Sequence, residues 1–208
     1  ITAHVPVDQV ETFELVCESW EIQTSLDLES VEFGAFYLRD VNNYLGVTTD
    51  GKIKRKGAYE YDVEWHQNHS SLVIQKAVEH AFVNNNPTRE TVEEYIINHN
   101  DMWDFFINAK IPKGSRLIHG DEQIQNISRY YVATTEHPEA AALTKIMPPL
   151  KKKLEAGITD ERRFAIQKEQ VVVVRNTYRG EFLNHVNYCY YIDEAMKLID
   201  PLVKDENE

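Results

Sequence analysis

Apolar residues recur at helical spacing near the start of the chain. Val10, Phe13, Cys17 and Trp20, with Val16 beside them, make one face that runs to about Thr24. Such a stripe must pack on something, and a sheet is the expected partner. Asp8 stands ahead of it as an N-cap, with Glu11 three positions on, the spacing of a capping-box variant. Residues 1–7 alternate as a strand does, residues 32–38 and 42–48 read as two more strands, and Asp50-Gly51 is a two-residue hairpin signal before a third at residues 52–56. A helix followed by an antiparallel meander predicts an α+β layer.

Beyond Trp65 the period lengthens. Ser70 caps an expected amphipathic helix through Val73, Ile74, Ala77, Val78, Ala81 and Phe82, and Asn84-Asn85-Asn86-Pro87 breaks it. Thr88 opens a second helix with Val92, Tyr95 and Ile96, and residues 102–107 suggest a short third. Residues 123–133 read as helix or as an extended segment. Pro148-Pro149 stops whatever residues 140–147 form, and residues 171–175 are a β-branched run. A closing helix is expected over residues 188–199, followed by a frayed acidic tail. The change of pattern places a domain junction near residues 64–70, giving domains 1–66 and 67–208.

Composition is that of an ordinary folded chain: 208 residues, 42% hydrophobic. No apolar run of the roughly 18 residues a membrane span needs is present, and no signal-peptide pattern opens the chain, so the cytoplasm is the expected compartment. Cys17 and Cys189 have no companion thiols and read as small buried hydrophobes. Ile1 is not a translation start, so the chain is expected to begin mid-protein. The net charge of −12 opposes nucleic-acid binding at first sight. Its distribution is uneven. Residues 1–109 carry 7 basic and 19 acidic side chains, residues 110–179 carry 13 and 8, and residues 180–208 carry 2 and 7. The middle stretch can therefore present a positive face on an acidic body, or simply scattered surface charge.

Several segments then matter together. Asp40-Val41-Asn42-Asn43-Tyr44-Leu45-Gly46-Val47 followed by Asp50-Gly51-Lys52-Ile53-Lys54-Arg55-Lys56-Gly57 resembles the segment just beyond the last catalytic motif of phage-type family B DNA polymerases. Trp65-His66-Gln67-Asn68-His69-Ser70, Gln125 to Tyr131, Lys145-Ile146-Met147-Pro148-Pro149 and Val186 to Ile192 are similar to later landmarks of that family, in order. Ile1-Thr2-Ala3-His4-Val5 looks like the strand after the Asp-Thr-Asp motif. The resemblance implies a C-terminal piece: an antiparallel palm sheet edge with a packed helix (1–66), then a mainly helical thumb (67–208), without the catalytic aspartates. Host cytoplasm is the implied location if a phage encodes it.

Nucleotide addition is phosphoryl transfer assisted by two Mg²⁺ held on carboxylates. The resemblance places those carboxylates, and the deoxynucleotide site, on an N-terminal part (exonuclease, fingers, rest of palm) in the same or a separate chain. The present chain is then inactive alone and holds primer-template DNA. Implied DNA contacts are Asn42, Asn43 and Tyr44, with Tyr44 at the family's motif tyrosine near the primer terminus. Asn42 and Asn43 stand where the family commonly has lysine or arginine, which removes charge-assisted contacts. Lys54 and Lys56 share one face of a strand and suit a phosphate track or a lysine-protected edge. Gly57 allows a close approach of backbone to DNA or is a bend. In the thumb, Lys113, Arg116, Arg129, Lys145 and Lys151 are the phosphate candidates, Lys151 heading a lysine run that reads equally as a solvated helix end. Tyr130, Tyr131, Tyr188, Tyr190 and Tyr191 read as core. His66, His69 and Glu64 lack the further ligands a zinc site needs. The alternative reading is a non-catalytic DNA-binding or protein-interaction module derived from a polymerase.

Overall fold

A computed structural model describes residues 5–61, 70–149, 160–175 and 177–203. The fold is α+β. It divides into two compact units, residues 1–36 with 46–54, and residues 37–45 with 55–208. The junction expected between residues 66 and 67, the opening strand through residue 4, and His66, His69 and Glu64 lie outside the described residues.

Helix α1 (Val10–Thr24) forms where the helical spacing predicts it. Its start differs. Residues Val7–Gln9 make a 3-10 turn, so Asp8 lies inside that turn and Gln9 takes the cap position without a side-chain hydrogen bond. Ser25, at φ +54°, ends the helix by donating its backbone N–H to Glu21 O. No residue of α1 is buried, which corrects the expectation of a packed helix. Leu15 and Ile22, 65% and 82% exposed, lie on the far side from Phe13 and Trp20, so its apolar residues are split between two sides.

Strands β1 (Phe33–Asp40), β2 (Asn43–Thr48) and β3 (Ile53–Lys56) form one sheet in that order. The Asp50-Gly51 turn joins β2 to β3, with Gly51 at φ +81°, a conformation glycine adopts without the cost of a Cβ. Lys52 Nζ and Thr48 Oγ1 hydrogen-bond Asp50 and hold its carboxyl down to about 2.

The second unit is built on three helices. α2 (Leu72–Val83) buries Val73, Ile74, Ala77, Val78, Ala81 and Phe82. Each large side chain removed from water contributes about 1.5–3 kcal/mol. Its N-cap is Ser71 rather than Ser70, and the Ser71 hydroxyl donates to Asp104 O at 2.6 Å instead of capping the helix. Thr88 caps α3 (Arg89–Ile97) as expected, accepting from Thr91 N. α4 (Tyr188–Ile199) packs on both, capped by Asn187. Tyr191 is fully buried there; its hydroxyl donates to Phe105 O at 3.0 Å and accepts from Val132 N at 2.8 Å, and burial pushes its ionisation well up.

Residues 102–107 begin with a 3-10 turn, Met102–Phe105, whose Asp104 is the polar knot of the unit. Lys76 Nζ and His99 Nε2 each donate to Asp104 Oδ2 at 2.6 Å. Burial alone raises that carboxyl, but these bonds outweigh it and hold it below the ordinary aspartate value.

From there to α4 the described chain runs as strands, so the stretch expected to be mainly helical is mixed. β4 (Ile107–Lys110), β7 (Ile127–Val132) and β10 (Val171–Val174) make one antiparallel sheet in the order β10-β7-β4. β5 (Arg116–His119), β6 (Glu122–Ile124), β8 (Leu143–Met147) and β9 (Arg162–Ala165) make another, in the order β6-β5-β8-β9. The extended alternative for residues 123–133 is the one adopted, and Pro148 ends β8. Of the tyrosines read as core, Tyr130, Tyr131 and Tyr191 are buried, while Tyr188 and Tyr190 are only half-buried. Both cysteines are unpaired, but Cys17 is half-buried and Cys189 exposed, which corrects their reading as buried hydrophobes. No helix among the described residues is long and apolar enough to cross a membrane.

Candidate nucleic-acid interface

β3 alternates as its lysines require. Lys54 and Lys56 are exposed, while Ile53 and Arg55 turn inward. Arg55 Nε donates to Glu79 at 2.8 Å, and its guanidinium lies 4.6 Å from the centre of the Tyr61 ring. Burial and the Glu79 carboxylate push the Tyr61 hydroxyl up to about 12. Arg55 is therefore committed to the interior. Lys54 and Lys56 make no ion pair among the described residues, and the Lys56 ammonium sits 5.9 Å from the Tyr44 ring centre. Lys52, by contrast, is neutralised by Asp50 at 2.6 Å.

The asparagine pair has a structural task. Asn43 Nδ2 donates to both Asp40 oxygens at 2.9 Å, and Asn43 Oδ1 accepts from Ala58 N at 2.8 Å. Asn42 contributes its backbone N–H to Asp40 Oδ1 at 2.9 Å, and its side chain is exposed. Gly57 closes the same knot: at φ +65°, a Cβ there would overlap Asn42 O and the Asn43 amide. Its close approach is to the chain itself. Asn43 and Gly57 thus have intramolecular work; the side chains of Asn42 and Lys56 are exposed, and Tyr44 is half-buried.

The thumb candidates are dispersed. Lys113 is exposed in the turn before β5. Arg116 is occupied by Glu161, which accepts two bonds at 2.6 and 2.7 Å. Arg129, on central strand β7, lies 6.0 Å from the Trp103 ring centre, and desolvation lowers its pKa. Lys151 falls outside the described residues.

Lys145 belongs to a group that spacing alone did not disclose. It pairs across β8-β9 with Phe164, so both project from one face, and Arg162, two residues before Phe164, shares it. The Lys145 ammonium is 5.6 Å and the Arg162 guanidinium 5.7 Å from the Phe164 ring centre, and Phe164 is 44% exposed. Two cations beside an exposed aromatic make a surface that can hold a phosphate and stack on a sugar or base. The available sequence signal was Arg162-Arg163-Phe164, an aromatic abutting basic residues in the basic third of the chain.

A depression of about 270 Å³ in the second unit is lined by Tyr131, His137, Glu139, Arg175, Tyr178 and Phe182. Arg175 is paired there with Glu139 at 3.3 Å. Among the described residues no group of three His, Cys, Asp or Glu side chains converges to hold a metal ion. No protein-family model matches the chain, and no curated protein and no solved structure matches it.

Proposed function

We propose that the chain is the DNA-holding palm and thumb portion of a family B DNA-directed DNA polymerase, with its metal-binding aspartates on a separate N-terminal part. The observation that carries this reading is the outer face of β3. Lys54 and Lys56 stand exposed and without counter-ions among the described residues, while their neighbour Arg55 is turned onto Glu79. An alternation of free and committed cations along one strand suits a backbone track, because a phosphate rewards the unpaired ammonium and gains nothing from a neutralised one. Tyr44 and Lys56 beside it, and the Lys145–Phe164–Arg162 group, add contacts of the same kind. No sequence readout is implied, since these groups address phosphate and sugar.

In this role the chain binds duplex and performs no chemistry; magnesium and the deoxynucleotide belong to the other part. The test is duplex affinity by fluorescence anisotropy across a salt series. Lys54→Glu with Lys56→Glu should lower affinity and reduce the slope of log affinity against log salt by about one for each lost phosphate contact. An unchanged slope rules out this strand face. Primer extension that appears only when the chain is mixed with a polymerase part ending at the aspartate motif separates this reading from a stand-alone DNA-binding module.

A further inference from the structure

Helix α1 combines an uncovered apolar stripe with charge of one sign. At about 100° per residue, Val10, Phe13, Val16, Cys17 and Trp20 fall on one side. Val10, Phe13, Val16 and Trp20 are 39%, 42%, 61% and 42% exposed. Glu11, Glu14, Glu18 and Glu21 form a row along one border of that stripe, and Thr12, Ser19 and Gln23 border the other. Residues 1–36 contain no Lys or Arg, so nothing in that stretch of chain answers the row. Glu11, Glu14 and Glu18 make no ion pair among the described residues. Like charges one turn apart repel, so the free helix holds a repulsion that a cationic neighbour relieves. The same character continues past the helix, where Leu26 and Leu28 are exposed among Asp27 and Glu29.

This charge pattern selects the occupant. Nucleic acid and anionic lipid are repelled by the glutamate row. A second copy docked antiparallel sets the row against itself, and docked parallel sets it beside Thr12, Ser19 and Gln23, leaving the charge unanswered either way. A protein with an apolar ridge beside lysine or arginine satisfies both halves of the surface. We infer that the α1 face docks a partner protein presenting an apolar ridge bordered by lysine or arginine side chains. This holds independently of the DNA reading, because none of the lysines on β3 takes part.

The probes are two synthetic amphipathic peptides with the same leucine face, one bordered by lysine and the other by glutamate. Binding is read by calorimetry, and the place of binding by amide hydrogen exchange over residues 10–24. The lysine peptide should bind about tenfold or more tighter, the sum of several exposed ion pairs, and should protect α1. Glu14→Lys with Glu18→Lys changes only exposed side chains and should invert the preference; Val16→Asp should weaken both peptides, with unfolding curves showing the fold intact. Equal binding of the two peptides overturns the inference. So does protection of α1 in the free chain, whether within one copy or in a dimer seen by sedimentation. Capture of α1 by phosphatidylcholine vesicles, with no preference between the peptides, also overturns it.

Discussion

Helices α1 and α4 share an apolar face at helical spacing, but α1 also carries Leu15 and Ile22 on its far side, and the two helices differ in everything that follows from burial. Both place aromatic and aliphatic residues at helical spacing. In α4, Tyr191, Ile192, Ala195 and Ile199 are buried against α2 and α3. In α1, nothing is. Periodicity reports which face of a helix needs a cover, and says nothing about which element supplies it. For α4 the cover is in the chain; for α1 the acidic border points to one outside it.

The contrast can be broken most sharply in the core. Phe82→Ala on α2 should cost about 3–5 kcal/mol, the transfer loss plus the cavity, read as a fall in the urea midpoint. A cost near zero would mean that the helical core is no better packed than α1. Asp104→Asn comes next, at about 2 kcal/mol, because Lys76 and His99 lose a charged acceptor. Its pH dependence has a definite sign. Asp104 is held below the ordinary aspartate value, so its contribution is present above about pH 4 and is lost as pH falls through the lower folded value. Urea titrations at neutral pH and near pH 3 should show the wild type losing stability while the Asp104→Asn variant loses less. Asn43→Ala should cost about 1 kcal/mol, since Asp40 loses its amide donor and Ala58 N its acceptor, with the melting temperature as the readout. Smallest is Trp20→Ala on α1, expected within about 0.5 kcal/mol in the free chain. A large loss there would show that α1 is covered after all.

Much of the scaffold was legible because single residues announced it. Thr88 before Arg89, Asp50-Gly51 between two alternating runs, and Tyr188 to Ile199 as one amphipathic period each form the element they predict. Apart from the extended alternative for residues 123–133, the strands from Ile107 to Ala165 were not, because they are three to six residues long and gain their identity from partners distant in sequence. One signal was available. His119 pairs with Glu122 across Gly120-Asp121, a two-residue connection with Gly120 at φ +58°, of the glycine-aspartate kind that joins hairpins. The candidate interface was legible in part. Alternation put Lys54 and Lys56 outward, but only the β8-β9 register could bring Phe164 opposite Lys145, and only the contacts of Asp40 and Ala58 could turn Asn43 inward.

The tyrosine-rich interior also sets an alkaline ceiling. Unfolded tyrosines lose their protons near pH 10. Burial holds Tyr131 up to about 12 and pushes Tyr191 well up, so the folded chain keeps protons that the open chain releases. Their stabilising share is whole below pH 10 and drains away above it. Because the Tyr191 hydroxyl ties α4 to Val132 and Phe105, its conversion to tyrosinate and the parting of those elements are expected to be one event.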